Sequence, residues 1–189
     1  IARCYNRSAV TSTGSTYSSR AGGIVGYING NGEAKVNTCY NTGNITSDSY
    51  AAGVFAGYGG YSLTVSSCYN TGKIRSSKDT SRIGAFTTSD SDAASNSFYL
   101  EGSIPAGAKT SGATAMSDAA MRTELLDKLG ADNWKTVRGV NNGYPVLSWQ
   151  TDETPAAVVT MAKNIRFARE EFDTDDGDVT FLPTGLLLW

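Results

Sequence analysis

The 189-residue chain has no histidine. That absence excludes Ser-His-Asp and Cys-His catalysis within it, and also a His-Glu-x-x-His zinc hydrolase. Charge is scarce: 18% of residues are Asp, Glu, Lys or Arg, the net charge is −2, and no basic run occurs. Nucleic-acid binding needs a basic stripe, so no such partner is expected. Long apolar runs are missing too. Nothing approaches the roughly 20 apolar residues of a membrane helix, and Leu186-Leu187-Leu188-Trp189 is far too short, so no membrane insertion is expected. No signal peptide stands at Ile1. The cysteines number three and never form Cys-x-x-Cys, which leaves no zinc ligand set. No metal or cofactor is expected. Gly, Ser, Thr and Asn supply the polarity instead, a balance that suits a β-rich extracellular scaffold better than a cytosolic helical enzyme.

What the chain does have is a repeat. Cys-Tyr-Asn stands at Cys4-Tyr5-Asn6, Cys39-Tyr40-Asn41 and Cys68-Tyr69-Asn70, with a degenerate copy at Ser97-Phe98-Tyr99, spaced by 35, 29 and 29 residues. Periods in this range mark solenoids and arrays. Three residues before each anchor sits Ile1, Val36, Val65 or Ala94. Six residues after it sits Val10, Ile45 or Ile74, with Ile104 one position late. A second half follows in each unit, built on small residues: Gly22-Gly23-Ile24-Val25-Gly26, Ala52-Gly53-Val54-Phe55-Ala56 and Ile83-Gly84-Ala85-Phe86-Thr87. Short apolar runs bounded by turn residues read as strands.

One unit then corresponds to one turn of a wound sheet. Equivalent residues stack about 4.8 Å apart, and together they build a core that no single unit could bury. Val36, Val65, Ile45, Ile74, Val54 and Ile24 are the expected core. The Asn6, Asn41, Asn70 column is expected to form a ladder at a turn, since Asn tolerates the left-handed region and hydrogen-bonds locally. Val36 and Cys39, three apart, cannot both face inward on a flat strand. Either the strand bends between them, or Tyr40 faces inward instead of Cys39. The cysteines read as stacked buried thiols, since in-register side chains keep their Cβ atoms beyond the 3.5–4.5 Å of a disulfide. The chain begins inside a repeat, which points to a mature or excised piece of a longer chain.

The small-residue stretch Gly22-Gly23-Ile24-Val25-Gly26 together with Cys-Tyr-Asn-Thr-Gly resembles the GLUG repeat of large secreted and surface-attached bacterial proteins. Those include adhesin-like proteins and the non-catalytic region of streptococcal IgA-specific metallopeptidases. The resemblance covers residues 1–104. It implies an all-β, right-handed parallel β-solenoid (β-helix) on a bacterial extracellular or cell-surface protein, without catalytic residues. Val54-Phe55-Ala56 and Ala85-Phe86-Thr87 depart from the glycine pattern, which implies wider or less regular later units.

After Ile104 the repeat stops, and residues 105–150 read as a C-terminal cap. Ser117 can serve as N-cap, Met121, Leu125 and Leu129 fall at i, i+4, i+8, and Gly130 is a natural terminator. The spacing predicts a helix over 118–129 and, after the turn Asn141-Asn142-Gly143, a strand over 144–149. The cap is expected to cover the open end of the last unit, with Trp134 and Trp149 in its core and sugar stacking by a tryptophan as the sharper alternative. Residues 151–189 read as a linker and tail: a docked segment, a segment paired with a partner, or the start of a missing domain. Asp173-Thr174-Asp175-Asp176-Gly177-Asp178 looks like a calcium loop, but its glycine falls fifth and its twelfth residue is Thr184, so it reads as a solvated turn.

No catalytic residue is assigned. Acids are few in the repeats, and Asp90 and Asp92 read as part of a solvated loop. The expected function is a non-enzymatic scaffold or binding module, adhesin-like, within a larger secreted or cell-surface protein and monomeric within that longer chain. Its expected partners are host or bacterial glycans or surface proteins, met by loop tyrosines with adaptable polar neighbours, namely Tyr17, Tyr58 and Tyr61. The alternatives are an accessory domain of a secreted peptidase or polysaccharide-active enzyme, and a polysaccharide-cleaving β-helix that uses carboxylates alone.

Overall fold

The computed structural model describes residues 1–151 except 15–18, 29–30, 58–59, 78–79 and 90, and gives the backbone alone at 31, 60, 61 and 80. The chain is mostly β, with parallel sheets and few helices. The first unit supplies β1 (Tyr5–Asn6), β2 (Val10–Ser12), β3 (Arg20–Gly22) and β4 (Asn31–Asn37). The second supplies β5 (Tyr40–Asn41), β6 (Ile45–Ser47), β7 (Tyr50–Ala52) and β8 (Gly60–Ser66). The third supplies β9 (Tyr69–Asn70), β10 (Ile74–Ser76), β11 (Ile83–Gly84) and β12 (Ala93–Ser95). Next come β13 (Phe98–Leu100) and β14 (Thr114–Met116), then β15 (Trp134–Lys135) and β16 (Val146–Leu147).

Each strand pairs in parallel with its counterpart one unit on, giving the sheets β1-β5-β9-β13-β14, β10-β6-β2, β11-β7-β3 and β12-β8-β4. The register aligns the columns seen in the sequence. Tyr5, Tyr40, Tyr69 and Phe98 stand side by side, as do Val10, Ile45 and Ile74 and Val36, Val65 and Ala94. Of the expected core, Val36, Val65, Ile45, Ile74 and Val54 are buried, while Ile24 is half-buried.

The choice between Cys39 and Tyr40 resolves through a bend. Arg3, Thr38, Ser67 and Asn96, the residues just before each anchor, all take left-handed φ, between 44° and 56°. The turn lets Cys39 and Cys68 join Val36 and Val65 in one interior cluster. Tyr40 and Tyr69 are also fully buried, but in a different cluster, beneath the C-terminal segment. The anchor thus feeds two cores from adjacent residues.

Asn6 Nδ2 donates to Asn41 Oδ1 at 2.7 Å, and Asn41 Nδ2 donates to Asn70 Oδ1 at 2.7 Å. Beside this ladder the glycines allow close approach. A Cβ on Gly72 would lie 1.9 Å from the Gly43 carbonyl oxygen.

The C-terminal segment packs along the outer tyrosine face, in one cluster with Tyr40, Tyr69 and, in the last unit, Phe98. Trp134 sits 6.0 Å from Tyr40 and 5.5 Å from Tyr69 between ring centroids. The Tyr40 hydroxyl donates to Gln150 Oε1 at 3.0 Å, and the Tyr69 hydroxyl donates to the Pro145 carbonyl. What adds to the last unit is residues 105–116: β14 extends the tyrosine sheet beyond β13, and Lys109 bonds to Ile83 and Ala85 through its backbone.

The helix expected over 118–129 divides at Glu124 (φ −116°, ψ −20°) into α1 (Asp118–Thr123) and α2 (Leu125–Leu129). The apolar spacing holds across the break, since Met121, Leu125 and Leu129 are all buried. Ser117 Oγ accepts from the Ala120 N–H at 3.2 Å, as an N-cap should. The strand expected over 144–149 is only Val146–Leu147, antiparallel to β15. A 3-10 turn at Asn141–Gly143 occupies the chain before it. Trp134 is buried, but Trp149 is 54% exposed and meets Tyr5 at 6.0 Å, so only the first is core.

Candidate functional site

Two of the residues expected to form a ligand surface, Tyr17 and Tyr58, lie outside the described residues, and Tyr61 is described by its backbone in β8 alone. Residues 152–189, with the acidic turn, also lie outside. Among the described residues no group of three or more His, Cys, Asp or Glu is placed to hold a metal ion. Among them, no helix is long and apolar enough to cross a membrane.

The acids divide sharply. Asp90 lies outside the described residues. Asp92 is not in a solvated loop but 6% exposed. It accepts from the Leu63 N–H at 2.9 Å and from the Thr87 hydroxyl, which ties two units together. Its neighbours carry the same small polar residues a loop would, so nothing in the residue pattern marks this burial. The cysteine column is likewise structural in its contacts. The Cys4 N–H points to Cys39 Sγ at 3.3 Å, and the Cys39 N–H to Cys68 Sγ at 3.4 Å. In the next unit Ser97 Oγ takes the sulfur's place, 3.2 Å from the Cys68 N–H. Burial pushes the Cys68 thiol well up from its ordinary value, which keeps it neutral and unreactive.

A different surface stands out. Arg20 and Tyr50 are register partners on β3 and β7, and Arg82 precedes Ile83, the partner of Ala51. The three side chains form one column across three units. The Arg20 guanidinium carbon lies 5.4 Å from the Tyr50 ring centre, and that of Arg82 lies 4.8 Å from it. Tyr27, 44% exposed, adds a second ring 4.3 Å from the Arg20 guanidinium. Cation–π contacts of this kind are worth about 0.5–1 kcal/mol at exposed sites. They hold four flat groups as a preformed stripe. Arg82 Nη1 also donates to Ser49 Oγ at 3.0 Å. Close by in sequence, Asp48 accepts from the Gly14 N–H and the Ser77 hydroxyl, tying the three turns of this edge together.

The stripe was within reach of the sequence. Arg20, Tyr50 and Arg82 each stand two residues before Gly22, Ala52 and Gly84, the same phase in three units. The alternation of Arg with Tyr in that column hid it, because a search for identical residues passes over it.

No protein-family model matches the chain, and no curated relative matches it in sequence. In structure the chain is similar to a putative immunoglobulin A1 protease from Bacteroides ovatus, known from a crystal structure, with a TM-score of 0.55 and 18% identity. The likeness covers 80% of this chain and 58% of that one. The chain therefore spans less than two thirds of its structural neighbour. At this identity the likeness shows the fold: a mostly β protein of stacked parallel sheets.

Proposed function

We propose that this chain is a non-enzymatic display and binding module of a larger secreted or cell-surface bacterial protein, wound as a right-handed β-solenoid of the GLUG type. Parallel pairing between units about 29 residues apart supports the winding, and connections between parallel strands of one sheet are overwhelmingly right-handed. The ligand surface is the stripe of Tyr27, Arg20, Tyr50 and Arg82, and its partners are glycans or surface proteins. The single observation that carries this reading is where the recurring residues go. The Cys, Tyr, Asn, Val and Ile columns are committed to cores and ladders, while the half-buried column of Arg20, Tyr50 and Arg82 keeps flat aromatic and guanidinium groups at the surface. Such groups suit sugar rings and polar protein loops.

A second reading, an accessory domain of a secreted peptidase, draws on the structural likeness to the Bacteroides ovatus protein. It gives the module the same chemistry and a different neighbour. Carboxylate cleavage of a polysaccharide has less support, because Asp92 is committed to two hydrogen bonds inside the fold.

Binding to a glycan array, followed by titration of the strongest ligand, tests the proposal. Tyr50→Ala and Tyr27→Ala are expected to weaken binding by about 0.5–2 kcal/mol per lost stacking contact, with no product from any glycan or peptide. Reproducible turnover that disappears on Glu101→Gln would put the enzyme reading in its place.

A further inference from the structure

The stack that contains β10 ends on a proline, and the ending leaves a cleft. Ile104 takes the place in the fourth unit that Val10, Ile45 and Ile74 hold in the first three. The Ile74 N–H donates to the Ser103 carbonyl at 2.8 Å, just as the Ile45 N–H donates to that of Lys73. The next residue is Pro105, which has no N–H and a fixed φ and cannot extend the ladder. β10 is therefore the outermost strand of its sheet. A cleft of about 220 Å³ lies against it, bounded by Lys73, Arg75, Ser76, Ser103, Ile104 and Pro105.

Three features of this cleft converge. Lys73 and Arg75 are exposed and two residues apart, so they project from one face. Among the described residues neither the ammonium nor the guanidinium has a hydrogen-bond or ion-pair partner, unlike Lys35, Arg122 and Lys128. Ser103 is 3% exposed, and its hydroxyl has no hydrogen-bond partner at all. An orphaned buried hydroxyl is destabilising, a cost that a ligand hydroxyl or carboxylate would relieve. Glu101 belongs to the adjoining cleft beyond Gly102, not to this one.

We propose that this cleft binds an acidic sugar residue. Its carboxylate would lie between Lys73 and Arg75, its hydroxyls would meet Ser76 and Ser103, and its C–H face would rest on Ile104 and Pro105. The chemistry selects this class. Two unpaired cations favour an anion over a neutral sugar. The aliphatic wall and the two serines favour a ring with hydroxyls over a bare inorganic anion. The volume is below the roughly 300–1,000 Å³ of drug-sized sites, which suits one sugar unit. The open edge of β10 beyond Ile74 is only Arg75–Ser76, too short for an added peptide strand. The site neighbours the stripe but does not need it.

Titration of the full ¹⁵N-labelled chain by NMR tests the proposal. The probes are 3′-sialyllactose against lactose, and glucuronic acid against glucose. At least one acidic probe is expected to shift the Arg75, Ser76, Gly102 and Ser103 amides, with its neutral counterpart about tenfold weaker or more. Lys73→Ala/Arg75→Ala, both at exposed positions, should abolish the shifts. Ser103→Ala should weaken binding while leaving the unfolding midpoint unchanged or raised, because it removes an orphaned hydroxyl. Tyr50→Ala, which tests the stripe, should leave these shifts intact. Equal binding of the neutral probes overturns the proposal. So do shifts scattered over all surface cations, shifts that survive Lys73→Ala/Arg75→Ala, or an absence of localised shifts with both acidic probes.

Discussion

Asn41 is wholly buried and makes three side-chain hydrogen bonds: it donates to the Gly43 carbonyl at 2.8 Å and to Asn70 Oδ1, and accepts from Asn6. Each bond repeats a feature of the unit, the first fixing the turn within it and the others joining it to its neighbours. Truncation to alanine would orphan a buried carbonyl and a buried amide oxygen at once, each at about 1–3 kcal/mol. Asn41→Ala should therefore lower stability by at least about 2 kcal/mol, whereas Asn6→Ala, which orphans only the Asn41 Oδ1, should cost less, about 1 kcal/mol. Urea midpoints of the two variants check this, and equal losses would mean the ladder is not the source. At this scale the asparagine column was legible in the sequence. The left-handed residue before each anchor was not. Arg3, Thr38, Ser67 and Asn96 share a conformation without sharing a residue type, and only asparagine among them favours it. Their backbone is imposed by the stacking of neighbouring units, which local propensity does not record.

The C-terminal helices and the tyrosine column form one element-scale device. The apolar spacing of Met121, Leu125 and Leu129 revealed a helix, but not the break at Glu124 or the face on which it docks. That face is set by Tyr40 and Tyr69, and their outward burial depends on the bend one residue upstream of each anchor cysteine. The docking is pH-sensitive. Burial first, and the hydrogen bond to Asp118 second, push the Tyr144 hydroxyl from 10.0 up to about 12. Burial pushes Tyr69 well above its ordinary value as well. A phenol whose folded value is raised contributes stability fully present below the unfolded value of about 10, and loses it as pH rises through the folded value. Asp118 behaves in the opposite sense. Its hydrogen bond with Arg122 first, and that with Tyr144 second, lower its folded value. Its contribution is present above about pH 4 and fades as acid protonates it. The helix–tyrosine interface should thus loosen as pH rises from about 10 through about 12. Absorbance at tyrosinate wavelengths would show Tyr69 and Tyr144 ionising above the ordinary tyrosine range, and Tyr144→Phe would remove one late step. A single titration step near pH 10 for every tyrosine would count against the interface.

Among the described residues the units differ in how many neighbours they have, and stability should follow that difference. Among the described residues β1, β2 and β3 each have one sheet neighbour, while β5, β6 and β7 have two. At the other end, residues 105–116 add backbone pairs to the last unit. In one column Ile45 is fully buried and Ile74 nearly so, whereas Val10 is half-buried. The recurring columns foretold that these three residues stack. The strengths differ because burial depends on the neighbours a unit has, and that is a property of position in the stack, not of the residue. In a stack held by nearest-neighbour contacts, stability is close to a sum of unit and interface terms, so an end unit can open without the middle. Ile45→Ala should therefore cost about 2–5 kcal/mol in global stability. Val10→Ala, exposing less surface, should cost about 1 kcal/mol and act locally. Native-state hydrogen exchange separates the two effects. Amides of β5, β6 and β7 should exchange only through global opening and lose protection together in Ile45→Ala. Amides of β1 and β2 should exchange through a cheaper local opening that Val10→Ala makes cheaper still. Uniform protection from β1 to β9, unchanged in rank by either variant, would mean the units melt as one block and the stack is not organised by neighbour contacts.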